Sequence, residues 1–379
     1  MPPLTFLIKP ASGSCNMRCK YCFYADETAL RSVKSFGMMQ MKIAEALIKL
    51  GLENADISCT FAFQGGEPTL SGTEFYRSFV QLVKLHNTRG LTVNYSIQTN
   101  AVLIDEEWAK FLAENKFLVG VSLDGPAEIH NPNRVLTDGS GSYNHVMKTV
   151  NLLKKHRVDF NILTVVTKQT ARYTEKIYRF LQKNGMKYQQ YIACLDPFAQ
   201  ERGQEKFSLT PKAYGDFLCK LFDLWYTDLK KGQQPYIQYF ENLVAMSAGQ
   251  APELCGMSGR CAPQYVVEAD GGVYPCDFYV MDDYIIGNVN ENTLEEINAK
   301  CAEIGFIEKS LKPSSRCISC DFRALCRGGC RRDRDFGGGE LGLNYFCEAY
   351  QKFFAYSYPR IREISTIMAR NLGINNHNR

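Results

Sequence analysis

Three cysteines stand in one tight loop, Cys15-Asn-Met-Arg-Cys19-Lys-Tyr-Cys22. Eight more follow more than two hundred residues later: Cys255, Cys261, Cys276, then Cys317-x2-Cys320-x5-Cys326-x3-Cys330, then Cys347. Fifteen cysteines in all are too many for packing, and a reducing compartment argues against a disulfide scaffold, so the thiolates read as metal ligands. The five histidines (His86, His130, His145, His156, His377) show no metal-ligand spacing. Sulfur must then do the binding, which selects zinc or iron-sulfur clusters. A structural zinc site closes on four ligands, so three in one loop either borrow a distant fourth or leave one coordination position open. Eight cysteines suffice for two complete four-thiolate sites, with a zinc ribbon on Cys317, Cys320, Cys326 and Cys330 as the competing reading. The remaining four, Cys59, Cys194, Cys219 and Cys301, read as small buried hydrophobes.

Such loops need a frame. The 379 residues are 45% hydrophobic and 22% charged, enough for a sizeable core in one large or two medium domains. A net charge of +4 with no long Lys/Arg run argues against a nucleic-acid partner. No apolar stretch of about 18 residues argues for a membrane partner, and Met1 to Pro10 is too short for a signal peptide, so a cytoplasmic protein is expected. Six β-rich runs alternate with helical patterns, the signature of βαβ units. The strands are expected at Leu4 to Ile8, Ile57 to Phe63, Thr92 to Ile97, Phe117 to Leu123, Asp159 to Val166 and Tyr188 to Ala193. Amphipathic helices are expected at Lys42 to Leu50, Phe75 to Leu85, Glu106 to Glu114, Tyr143 to Lys155 and Thr174 to Lys183. The fold class is therefore α/β, a partial (β/α)6 TIM-like barrel followed by a small cysteine-rich α+β domain. Loops at the carboxyl ends of such strands build active sites. Here those exits carry the three-cysteine loop, Gln64-Gly65-Gly66-Glu67-Pro68, Gln98-Thr99-Asn100, Ser122-Leu123-Asp124-Gly125, Thr164 to Thr167 and Cys194-Leu195-Asp196-Pro197.

Thr210 and Pro211 open a further helix, and the Gly/Gln/Pro stretch that ends at Pro235 places the domain boundary between 234 and 235. Domains of 1–234 and 235–379 follow. The second is expected to hold a hairpin, Tyr265 to Glu268 with Gly272 to Tyr274, and a closing helix from Asn344 to about Asn371. Gly337 to Gly339 reads as a surface turn and Gly373 to Arg379 as frayed.

The loop of Cys15, Cys19 and Cys22, with Tyr21 before its last cysteine, and Gly65-Gly66-Glu67-Pro68 after the next strand, resembles the radical S-adenosylmethionine (SAM) enzymes. The resemblance implies a 4Fe-4S cluster on those three cysteines whose open iron takes SAM. It implies Gly66 near the SAM amino group, Tyr21 near the adenine, and Ser122, Arg134 and Leu195 around the ribose, carboxylate or adenine. The later cysteines and Gly271 resemble the SPASM extension. By that analogy Cys255, Cys261, Cys276 and Cys330 ligate one auxiliary 4Fe-4S cluster and Cys317, Cys320, Cys326 and Cys347 another, three clusters in all.

The runs Leu7-Ile8-Lys9-Pro10-Ala11, Cys22-Phe23-Tyr24, Phe61 to Thr69 and Tyr274 to Tyr279 are similar to those of anaerobic sulfatase-maturating enzymes. That resemblance implies oxidation of a Cys or Ser in a sulfatase peptide to Cα-formylglycine (3-oxoalanine). It also implies an unfolded or nascent sulfatase as substrate and a donor such as ferredoxin or flavodoxin. Asp277, beside Cys276, is the candidate catalytic base, and Tyr24 and Gln64 are candidates to line the target side chain. Asp124-Gly125-Pro126 reads mostly as a turn, and Arg331, Arg332 and Arg334 as a solvated basic run. The rival readings are a SPASM-type enzyme that crosslinks another ribosomal peptide, and a nonenzymatic metal-binding module.

Overall fold

The computed structural model describes residues 3–198, 200–336 and 341–371. The runs at Gly337 to Gly339 and Gly373 to Arg379 lie outside the described residues. The strands, in chain order, are β1 (Leu4–Ile8), β2 (Ser58–Phe63), β3 (Thr92–Thr99), β4 (Leu118–Ser122), β5 (Phe160–Val166), β6 (Tyr188–Ala193), β7 (Tyr236–Ile237), β8 (Val266–Val267), β9 (Gly272–Tyr274) and β10 (Gly287–Asn288). All six strands expected of the βα repeats are present, with ends shifted by at most two residues.

The chain forms two compact units, each built from two stretches: Met1–Leu163 with Ala262–Phe306, and Thr164–Cys261 with Ile307–Arg379. Sequence composition places a boundary at 234/235, whereas the contacts divide the chain inside β5 and again at 261/262 and 306/307. The physical reason lies in β8, which pairs in parallel with the free edge of β1 (Leu7 with Val266, Ile8 with Val267) and so carries residues from the cysteine-rich half into the first unit.

In the first unit β1 to β5 pair in parallel, each with its successor. The helices Met41–Asn54, Gly72–His86, Glu106–Glu114 and Tyr143–Lys155 connect them. Alternate side chains of β2, Cys59, Phe61 and Phe63, are buried, as a two-residue period requires. Phe61 meets Phe79 at 5.2 Å and Phe63 meets Tyr76 at 4.8 Å, both edge-on, so the Gly72–His86 helix is seated by aromatic contacts. Parallel pairing puts the carboxyl ends of all five strands on one rim. The expected hairpin is β8 and β9, paired antiparallel, with β10 beyond it.

The second unit holds β6 and β7 in parallel (Tyr188 with Tyr236) and a helical core. Its long helices are Pro211–Lys230, Gln238–Ser247 and Cys347–Asn371. Phe222, Phe240 and Phe353 pack with centroids 5.3 to 5.9 Å apart. The closing helix begins at Cys347, three residues later than its pattern suggests. Asn344 is spent otherwise: its amide donates to Gly328 O at 3.1 Å and its Oδ1 accepts from Phe346 N at 2.8 Å. The Pro211–Lys230 helix starts as expected, with Thr210 Oγ1 accepting from Ala213 N at 3.3 Å. Loss of such a cap costs about 1 kcal/mol, so Thr210→Ala should lower the free energy of unfolding by that amount and Thr210→Ser should not, as read by circular dichroism in a denaturant series.

Candidate functional site

The three-cysteine loop leaves β1 and folds back over the exit of β2. Gly66 makes this possible. At φ +56° it is a residue whose added Cβ would lie 2.3 Å from Ser14 O and 2.5 Å from Ser12 O, so only glycine admits the cysteine loop so close. Glu67 N donates to Ser14 O at 2.8 Å from the same turn. Cys15 and Cys22 are exposed and Cys19 is half-buried. Surrounding protein pushes the Cys15 thiol up to about 11 and that of Cys19 to about 12, chiefly by desolvation. Cys22 is raised for the same reason, against the backbone amides of Ala25 and Tyr24 at the start of the Phe23–Ala29 helix. Cys15 also senses Glu67 and Cys19 senses Asp124, and a bound metal cation reverses that penalty. The donor set therefore fits an iron-sulfur cluster with three protein ligands.

Beside this loop lies a buried pair. Arg134 Nε and Nη2 donate to Asp124 Oδ2 and Oδ1 at 3.0 and 3.2 Å, a two-point grip, and the Tyr21 hydroxyl donates to Asp124 as well. The guanidinium lies 5.4 Å from the Tyr21 ring. Asp124 is thus the centre of a network, not merely a turn residue, because the sheet buries it completely. Burial works against the Arg134 charge, but Asp124, Tyr21 and Cys19 together outweigh it and the net shift is upward. His130 closes the turn: its Nδ1 accepts from Asp124 N at 3.2 Å and its Nε2 meets Ser142 Oγ at 2.9 Å. Desolvation holds this imidazole down to about 4. Ser122, on the same exit as Asp124, accepts from Gln98 Nε2 of the neighbouring strand at 3.1 Å.

Asp277 sits in the same unit, in the loop after β9, and is buried. Lys9 Nζ donates to its Oδ1 at 2.6 Å, and Gln64 Nε2 donates to its Oδ2. Gln64 and Asp277 are therefore brought together. Tyr24 is placed differently from Gln64. Its hydroxyl donates to Glu268, which pairs with Arg31 at 2.5 Å, and its ring lies 3.8 Å from Lys9 Nζ. Sequence reasoning quoted Lys9 and Glu67 within the family runs but gave neither a role of its own, and it missed Glu268.

In the second unit, Cys317, Cys320, Cys326 and Cys347 line one small cavity. Burial pushes Cys326 up to about 11, with the other three of that set adding to the shift. Cys330 does not line that cavity; desolvation and Asp333 raise it most, and Cys255 and Cys261 also raise it. This grouping departs from a zinc ribbon on Cys317, Cys320, Cys326 and Cys330. Among the described residues no three Cys, His, Asp or Glu are gathered tightly enough for a single metal ion. A cubane, whose ligands each bind a different iron, takes a wider ring than one zinc ion does. Cys276 belongs to the first unit, where it is half-buried in the turn that carries Asp277. Of the other four cysteines, Cys59, Cys194 and Cys301 are buried as expected and Cys219 is half-buried.

Leu195, half-buried, follows β6 in the second unit. Its loop is braced by Asp196, whose Oδ2 accepts from Gly203 N at 2.9 Å and whose carbonyl accepts from Arg332 Nη2 at 2.6 Å. Arg331, Arg332 and Arg334 are accordingly buried, in contrast to the solvated run expected from their charge. Arg334 donates to Ser310 O at 2.9 Å, and Arg332 lies over Phe198 at 3.6 Å, so the guanidiniums are spent on backbone carbonyls and a ring.

Comparison with known proteins adds the family. Residues 10–181 match the radical SAM superfamily, and residues 259–321 match an iron-sulfur cluster-binding domain. The cysteine-type anaerobic sulfatase-maturating enzyme of Clostridium perfringens is 47% identical over 366 residues, 96% of this chain and 99% of that one. The chain belongs to the anaerobic sulfatase-maturating enzymes. A serine-type member from Bacteroides thetaiotaomicron is 33% identical, over 94% of this chain and 90% of its own. A solved structure, native anSMEcpe with bound AdoMet and Cp18Cys peptide, matches with a TM-score of 0.93 and 46% identity, covering 97% of this chain and 100% of that one. As a radical SAM sulfatase-maturating enzyme with a SPASM domain, this chain uses SAM and iron-sulfur clusters.

For a sulfatase-maturating enzyme built this way, loop closeness is testable at Gly66. Gly66→Ala should cut iron bound per chain after reconstitution, whereas Gly37→Ala, also at positive φ but with nothing within 4 Å, should cost only about 1 kcal/mol and keep full iron. His130 gives a pH test. Its folded-state value of about 4 lies below the ordinary 6.5, so the stability it contributes is present above pH 6.5 and lost as pH falls toward 4. His130→Asn should remove up to roughly 3 kcal/mol of that acid dependence, measured by chemical denaturation at a series of pH values.

Proposed function

We propose that this chain oxidises a cysteine side chain of a sulfatase peptide to Cα-formylglycine, with Asp277 as the base that accepts the thiol proton. Asp277 carries the reading: a buried carboxylate, held on both oxygens, adjoining a cysteine of the iron-sulfur domain. Cysteine is favoured over serine because the cysteine-type relative is 47% identical and the serine-type relative 33%. When bound, SAM and a 4Fe-4S cluster on Cys15, Cys19 and Cys22 supply the radical that takes a Cβ hydrogen, and the auxiliary clusters accept the second electron. Asp277 removes the thiol proton, so carbon and sulfur become doubly bonded, and water then replaces sulfur to leave the aldehyde. Gln64 and Lys9 hold the carboxylate in one orientation while this occurs. Gly66, Tyr21, Ser122, Arg134 and Leu195 are assigned to SAM by the family pattern. In this structure the Arg134 fork is aimed at Asp124, so its part there is to fix the wall and offer positive charge. Tyr24 is assigned to the target side indirectly, through the ring face it gives Lys9.

The auxiliary sets are Cys255, Cys261, Cys276 and Cys330, and Cys317, Cys320, Cys326 and Cys347. The cavity lined by the latter four supports that division. With four thiolates each, neither leaves an iron open for substrate. The peptide is taken as an unfolded or nascent sulfatase segment, and the reductant as a ferredoxin or flavodoxin. Cytoplasmic placement is supported by fifteen cysteines, all free of disulfides. Among the described residues no helix is long and apolar enough to cross a membrane.

Anaerobic incubation of the reconstituted protein with SAM, reductant and a sulfatase-type Cys peptide should lower the peptide mass by about 18 units, as sulfur is exchanged for oxygen after loss of two hydrogens. SAM cleavage with an unchanged peptide would instead favour another peptide substrate. Asp277→Asn should keep forming deoxyadenosine while its formylglycine yield drops about a hundredfold, the usual loss of a general base. A wild-type yield from that variant would take the role away from Asp277.

A further inference from the structure

The Gln64-Gly65 step serves Asp277 twice. Gln64 donates directly to Oδ2. Gly65, at φ +93°, does so by omission: a Cβ there would lie 2.6 to 2.9 Å from Cγ, Nζ and Cδ of Lys9. The volume a side chain would fill is the passage along which Lys9 runs to meet Oδ1 at 2.6 Å. Lys9 is fully buried, over the Tyr24 ring, and beyond that ring stand Glu268 and Arg31, so the cluster holds two acids and two bases.

Stability does not account for this lysine. A buried ion pair roughly breaks even against well-packed apolar side chains, whereas a lone buried charge is costly. What the pair provides is direction, because a hydrogen-bonded carboxylate in a dry pocket keeps one orientation. We propose that Lys9 is the positioning residue of Asp277, its ammonium fixing Oδ1 through the passage that Gly65 keeps open, so that the carboxylate meets the substrate thiol in one geometry. This rests on the reading of Asp277 as the base.

The test uses the reconstituted enzyme with a Cys-type peptide and compares formylglycine with deoxyadenosine in the same reaction. In Lys9→Met the ratio should fall at least about tenfold, with the KM for peptide within about threefold of wild type; a fold defect would instead lower both products together. Asp277→Asn should show an equal or deeper fall, and the double variant should be no worse than Asp277→Asn alone, since the two act as one unit. A wild-type ratio in Lys9→Met beside a depressed one in Asp277→Asn overturns the role of Lys9 and leaves the base in place. A wild-type ratio in Asp277→Asn removes the base itself. Where Lys9→Met fails to take up iron, Lys9→Gln, uncharged and one bond too short to reach Oδ1, is scored in its place, and a wild-type ratio there likewise overturns the proposal.

Discussion

Much of the rim of the first unit depends on where one buried carboxylate finds its hydrogen bonds. Glu67 Oε1 accepts from Thr69 N at 3.1 Å and from the hydroxyls of Thr69 and Thr99 at 2.6 Å, and Oε2 accepts from Asn100 N at 2.7 Å. Burial pushes this carboxyl up, and those four bonds pull the other way. A buried acceptor left unmet would be costly, so the exits of β2 and β3 have little choice of arrangement. Asn100 is delivered as a consequence, with its amide 2.7 Å from Asn16 Oδ1 and 3.8 Å from Cys15 Sγ. One acid thereby joins two strand ends to the metal-binding loop.

The ionised groups around that loop follow the same economy. Asp124 takes Arg134, Asp277 takes Lys9, and Glu268 takes Arg31, each pair largely or wholly withdrawn from water. None of these pairs is strong evidence of stability. Together they fix three side-chain pairs around the three-cysteine loop, and such fixed orientation is the part of catalysis that a protein scaffold can supply without chemistry of its own.

How far this was legible in the sequence depended on whether a signal was periodic or relational. Strand and helix periods are local, and β1, β6 and the helices Glu106–Glu114 and Tyr143–Lys155 stand where their patterns put them. The cysteine spacings and the Gly65-Gly66 pair were visible for the same reason. Partnerships were not. Nothing in the residues around Asp124 announces that Arg134 will grip it, because the reach of a guanidinium across a turn is set by burial. The pairing of β8 with β1, which brings Asp277 beside Lys9 across 268 positions, has no local signature in two-residue register. The buried arginines after Cys330 misled for a related reason: charge density suggests solvent unless the carbonyls that will receive it are known.

The segment from Cys317 to Cys330 shows why metal and fold cannot be separated here. Its only helical turns, Ser315–Ile318 and Arg323–Cys326, are four residues each, far below the length at which a helix holds itself. Arg327, Gly328 and Gly329 follow with φ of +51°, +92° and +73°, a run that costs conformational freedom and offers no ladder in return. Asn344 ties down one carbonyl of it. On the proposed ligation, the four thiols around one cavity would supply the missing ties when a cluster binds there, so that binding it would be part of folding this half of the chain.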